Sequence, residues 1–119
     1  MKLVIIESPY AGDVPKHLAY LDRCIRDCLA RGESPYASHK MLTTALDDNI
    51  PEQRALGIEA GMAWRRLAGG RVFYLDLGWS RGMVVAFDLY RHEGLPYELR
   101  FLDGEPRSCG ECGSPEVTF

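Results

Sequence analysis

Residues 70–83, Gly-Arg-Val-Phe-Tyr-Leu-Asp-Leu-Gly-Trp-Ser-Arg-Gly-Met, constrain the fold more than any other part of the chain. The apolar run at 72–77 predicts a buried strand. It carries Asp76 and ends at Gly78, and Ser80 is placed to cap a helix over about 81–92. A strand that enters a glycine-flanked turn and then a helix brings backbone N–H groups to the carboxyl edge of a sheet. In open α/β sheets that edge is where ligands bind.

The rest of the chain repeats the pattern. Leu3 to Ile6 is a continuous apolar run, as in a strand buried on both faces. A turn-rich segment at 7–13 follows, with Asp13 as cap, Pro15 in the first helical turn and Gly32 as stop. Between them Leu18, Leu21, Ile25, Cys28 and Leu29 form one helical face. Residues 35–39 read as a short second strand whose polar end, Ser38-His39, leads into a loop over 40–49. Asn49, Pro51 and Glu52 then predict a capping-box start for a second helix, with Leu56, Ala60, Ala63 and Leu67 on its apolar face and Gly69-Gly70 at its end. In the last helix Met83, Ala86, Phe87 and Tyr90 form the buried stripe; Gly94 closes it, and residues 96–102 alternate as a fourth strand.

The order βαβαβαβ implies a Rossmann-like three-layer α/β fold, with a parallel sheet of about four to five strands between helices. Residues 1–103 form the domain, and 104–119 a tail rich in glycine, proline and acids. The loops at 8–13, 38–49 and 76–83 are expected to meet on one edge.

Composition narrows the partners. A net charge of −3 argues against a nucleic acid polymer, which needs a basic face. No run of 18 apolar residues is present, so no membrane span is expected. Met1 to Glu7 reads as a strand and not as a signal peptide, which makes the cytoplasm the default location. Four cysteines are then expected as thiols, Cys24 and Cys28 packing one turn apart in the core. Cys109 and Cys112 resemble half of a zinc knuckle, but no second pair with that spacing completes four ligands, so no metal is expected. No cofactor is implied.

The corner itself admits several chemistries. Gly78-Trp-Ser80-Arg-Gly82 has the form of a nucleophile elbow, but the only later histidine, His92, is twelve helical residues on, about 18 Å away. Ser80 as a helix cap is the simpler reading. Asp76 is either a turn acid or a carboxylate facing a ligand, and His39 either caps a loop or works in the cleft. Arg54 either solvates its helix or turns toward an anion. Asp47 and Asp48 are turn acids or catalytic groups, and Tyr10 stacks on a base or packs. Arg65 and Arg66 read as a solvated face.

Taken together, the segments 8–13 (Ser-Pro-Tyr-Ala-Gly-Asp), Ser38-His39, Leu46-Asp-Asp48, Pro51-Glu52-x-Arg54 with Gly57, and Ser80-x-Gly82-Met83 resemble the nucleoside 2-deoxyribosyltransferase-like family, including its small phage and bacterial relatives. The resemblance covers about residues 2–103. It implies a flavodoxin-like fold, a homo-oligomer, and a nucleoside or nucleotide ligand whose N-glycosidic bond is attacked by a glutamate near the start of the last helix. In phosphate-dependent relatives the first loop and that helix's N-terminus bind a 5′-phosphate. Here the glutamate position is Ala86. Asp88 lies two residues on, about 200° around the helix, and should face elsewhere. The expected catalytic carboxylates are therefore Asp76 and Asp48, with Glu7 a further candidate. The expected ligand-binding residues are Ser8, Tyr10, Gly12, His39, Arg54, Gly78, Ser80, Gly82 and Met83. A non-catalytic binder of a nucleotide signal is the alternative that Ala86 suggests.

Overall fold

The apolar run near the N-terminus forms β1 (Lys2–Glu7), with Val4, Ile5 and Ile6 buried. The computed structural model describes residues 1–102 and residue 117, so the expected tail and the Cys109/Cys112 pair lie outside the described residues. Asp13 caps α1 (Val14–Ala30) by accepting the Lys16 N–H at 3.3 Å. The helix stops where Gly32 takes φ 80°, a backbone region that side chains disfavour. β2 (Glu33–Tyr36), α2 (Ser38–Ala45), α3 (Pro51–Met62), β3 (Gly70–Tyr74), α4 (Arg81–His92) and β4 (Glu98–Arg100) follow.

All strand pairs are parallel, in the order β2-β1-β3-β4. The sheet separates two apolar layers, which makes this a Rossmann-like three-layer fold. On one face Val4, Ile6, Val72 and Tyr74 pack against Tyr20, Leu21, Cys24 and Cys28 of α1. On the other, Phe73 and Leu75 pack against Met83, Ala86, Phe87 and Tyr90 of α4, with Met62 of α3 beside them. The buried stripe of α4 is thus the one its sequence predicts, and Cys24 and Cys28 are core thiols. No helix among the described residues is long and apolar enough to cross a membrane.

The segment between β2 and β3 departs from expectation. Ser38 and His39 open a helix instead of ending a strand, and α2 replaces most of the expected loop. Its Thr43 and Thr44 hydroxyls donate back to carbonyl oxygens within the helix, a pattern that hides helical character from a reading based on apolar periodicity. Asn49 does not cap α3. Ile50 occupies that position without a side-chain bond, while the Asn49 N–H donates to Asp47 Oδ1 at 2.9 Å. α3 also ends earlier, at Met62, and the expected apolar face is largely open: Leu56 and Leu67 are 55% and 73% exposed. The buried residue is Gly61, where a Cβ would fall 2.6 Å from Ser38 Oγ, so the two helices meet through a glycine. Arg65 and Arg66, expected as a solvated face, both bond Glu93, at 2.9 and 3.1 Å.

Candidate functional site

Crossovers from β1 and β3 leave in opposite directions along the sheet, β1 toward β2 and β3 toward β4. A crevice opens at such a reversal, outside the carboxyl ends of the strands. Here it is a cavity of about 510 Å³ bounded by the loop after β1, α2, α3 and the first turns of α4. Ser8, Tyr10 and Gly12 come from the loop, His39 from α2, Asp48 from the turn before α3, Arg54 from the start of α3, and Ser80, Gly82 and Met83 from the cap and first turn of α4. Three turns far apart in sequence therefore share one hollow. Gly12 takes φ 95°, which lets the chain turn back toward α1.

Asp76 and Gly78 are not among the lining residues. Asp76 follows Val72 and Tyr74 at even spacing, and those side chains face α1. Its carboxylate accepts the Tyr20 hydroxyl at 2.5 Å and the Leu102 N–H at 3.1 Å, so it ties α1 to the chain after β4 on the face away from the cavity. Asp76, expected as a working carboxylate, is placed as a clamp. Asp47 is exposed and outside the cavity. Asp48 lines it, but its Oδ2 accepts Arg54 Nη1 at 2.8 Å, which binds the acid and the arginine to each other. Ser80 caps α4: its Oγ accepts the Met83 N–H at 3.2 Å. Ala86 lines the cavity while Asp88 is exposed elsewhere.

A family model matches residues 2–100, nearly all of the described domain. The chain belongs to that family, described as a domain of unknown function (DUF7768). No curated protein and no solved structure matches it. The chemistry of this DUF7768 domain has therefore to be read from the cavity.

Its polar floor consists of Ser8, His39 and Glu7. Ser8 Oγ and His39 Nε2 are 2.8 Å apart. Burial pushes the His39 imidazole down to about 4, so the ring is neutral at physiological pH. Glu7 ends β1 opposite Phe73, on the α4 side of the sheet, and its Oε2 accepts the Tyr90 hydroxyl at 2.6 Å. Burial raises its carboxyl from 4.5 to about 7, and the Tyr90 bond offsets only part of that. The apolar walls are Leu42, Leu46, Ile58, Met62, Val85 and Leu89. The sequence points instead to Leu56, Ala60, Ala63 and Leu67 as the apolar face of α3 and to a loop where α2 stands, so Leu42, Ile58 and Met62 are not expected in the wall. Glu7 did leave a signal: an acid directly after a buried apolar run.

The folded chain holds the Glu7 proton more tightly than the unfolded chain does, so ionising it costs stability, and that cost grows as pH rises from about 4.5 through about 7. Glu7→Gln should therefore gain on the wild type by roughly 1–3 kcal/mol more at pH 8 than at pH 5. Urea unfolding at the two pH values measures this, and an equal difference at both would refute the assignment.

Proposed function

We propose that this domain binds a nucleoside or nucleotide in the cavity at the β1/β3 reversal. The observation that carries the reading is the convergence of Ser8, Tyr10 and Gly12, of His39, and of Ser80, Gly82 and Met83 around one hollow. Its volume, about 510 Å³, suits a ligand of that size, which typically occupies a mostly apolar pocket with a few polar groups at one end. Apolar walls suit a base, and the hydroxyl and imidazole groups of the floor suit a sugar. The resemblance of these segments to the nucleoside 2-deoxyribosyltransferase-like family points to the same ligand class.

Binding without turnover is the form that Ala86 favours, since a methyl group stands where the resemblance calls for a nucleophile. Cleavage or transfer of the N-glycosidic bond is a second reading, favoured by two carboxyl groups in the wall, Asp48 and Glu7. Calorimetric titration with 2′-deoxynucleosides, their 5′-monophosphates and NAD, followed by chromatography for free base, separates the two. Binding with no free base supports the first; base release supports the second; no binding by any of them rejects both. The resemblance also implies a homo-oligomer, and the exposed apolar side chains Ile58 and Val85 at the cavity suit a neighbouring subunit there. Light scattering on the purified protein tests that part.

A further inference from the structure

Glu7 has a bonding pattern that packing alone does not explain. Its Oε2 is held by the Tyr90 hydroxyl, while Oε1 has no hydrogen-bond partner among the described residues, and no ion pair among them involves Glu7. The residue lines a mostly apolar cavity. Oε1 is not sealed off by the protein, so a ligand group entering the cavity can take the place of water and donate to it. No described side chain donates to it. His39 is engaged with Ser8, and Arg71 lies beneath the Tyr90 ring, 5.9 Å from its centroid, donating to the carbonyl oxygens of Arg65, Ala68 and Pro96. Across the cavity Arg54 is taken by Asp48.

One feature of α4 keeps the cavity open beside Glu7. Ala86 stands one helical turn before Tyr90 on α4, and both Ala86 and Glu7 line the cavity.

We propose that Glu7 Oε1 accepts a hydrogen bond from a hydroxyl group of the ligand, and that this contact selects an uncharged, polyhydroxylated end over an anionic one. The proposal rests on the nucleoside reading only for the identity of the rest of the ligand. A sugar hydroxyl is a neutral donor that completes the open acceptor, whereas a phosphate brought to the same point would meet a like charge. The ligand's phosphate, where it has one, then lies away from this floor.

Binding becomes dependent on the ionisation of Glu7, because the carboxylate is the stronger acceptor. Around it stand Tyr90 from α4, whose phenol burial pushes up, His39 from α2, neutral down to about pH 4, and Arg71 from β3. Between pH 5 and 8 the group that changes charge among these is Glu7, and affinity for a hydroxyl donor rises as it ionises.

The test follows the Glu7 carboxyl of the full chain by carbon-13 NMR during separate titrations with D-ribose, ribose 5-phosphate and adenine. D-ribose should move the Glu7 signal and bind on the order of tenfold more tightly at pH 8 than at pH 6. Glu7→Gln should lose that pH dependence. Tyr90→Phe removes a bond that favours the carboxylate, and should shift the dependence to higher pH. Ribose binding at Glu7 without any affinity for adenine would uphold the proposal and count against a nucleoside ligand. Adenine binding with a still Glu7 signal and no ribose response would overturn the proposal and leave the nucleoside reading standing. Failure of all three probes to bind would overturn both.

Discussion

Arg100→Met should destabilise the domain by about 3–5 kcal/mol, the loss expected when one partner of a buried ion pair is removed and the other stays behind. Arg100 and Glu33 are 5% and 7% exposed. The guanidinium donates to both carboxylate oxygens of Glu33, at 2.7 and 2.6 Å. It also reaches Glu98 at 2.9 Å and the Tyr74 hydroxyl at 3.3 Å. Glu33 belongs to β2 and Arg100 to β4, the two edges of the sheet, so the pair joins strands that share no backbone ladder. Methionine keeps most of the apolar stem and leaves Glu33 unpaired.

The size of that effect comes from the orphaned charge more than from the attraction itself. Adding Glu33→Gln to Arg100→Met should therefore recover part of the loss. Acid gives a second handle. Arg100 holds the Glu33 carboxyl below its usual range, so the stability it contributes is present above the unfolded value near 4.5 and disappears as pH falls. Arg100→Met should lose less on acidification than the wild type does. Urea midpoints at pH 7 and pH 4 measure both effects. A single variant within about 1 kcal/mol of wild type would show that the pair contributes like an exposed one.

What was legible in the chain divides along a physical line. α1 and α4 could be read because their signals are local: Asp13 and Ser80 as caps, Gly32 and Gly94 as stops, and a stripe of apolar residues with helical spacing. The meeting of three loops followed from topology, since parallel strands put their carboxyl ends on one edge. The wall formed by α2 and α3 was hidden, because their burial depends on a close helix contact at Gly61 and Ser38 that no periodicity reports. Asp76 shows a different limit. It was expected within a strand over 72–77 and lies two residues past the end of β3, and the face it serves follows from residue parity: Val72 and Tyr74 turn toward α1, Phe73 and Leu75 toward α4. Glu7 sits opposite Phe73 and so reaches the cavity.

Under the nucleoside reading proposed above, Ala86→Glu should add slow N-glycosidic bond cleavage to binding. Ala86 lies on the buried stripe of α4 and lines the cavity, at the position where the resemblance calls for a nucleophilic glutamate. A longer acid there would enter the hollow over the Glu7 floor. Two carboxyl groups brought close raise the pKa of one of them, which divides the work between an ionised nucleophile and a protonated acid. Glu7, already lifted to about 7, is suited to keep the proton, which leaves the new glutamate ionised to attack C1′. With solvent supplying the proton to the departing base and water then hydrolysing the glycosyl–enzyme ester, release of adenine from 2′-deoxyadenosine should rise by roughly 10²–10⁴-fold over the wild-type background. Ala86→Gln, of nearly the same size and without the nucleophile, should stay at background. Combining Ala86→Glu with Glu7→Gln should lower the gain, because the sugar loses its contact at Glu7 Oε1 and the new glutamate loses the neighbour that keeps it ionised. Chromatographic assay of free adenine reads all three variants. A folded Ala86→Glu protein that binds deoxyadenosine and releases no base would leave the cavity a binding site whose geometry does not bring C1′ to α4.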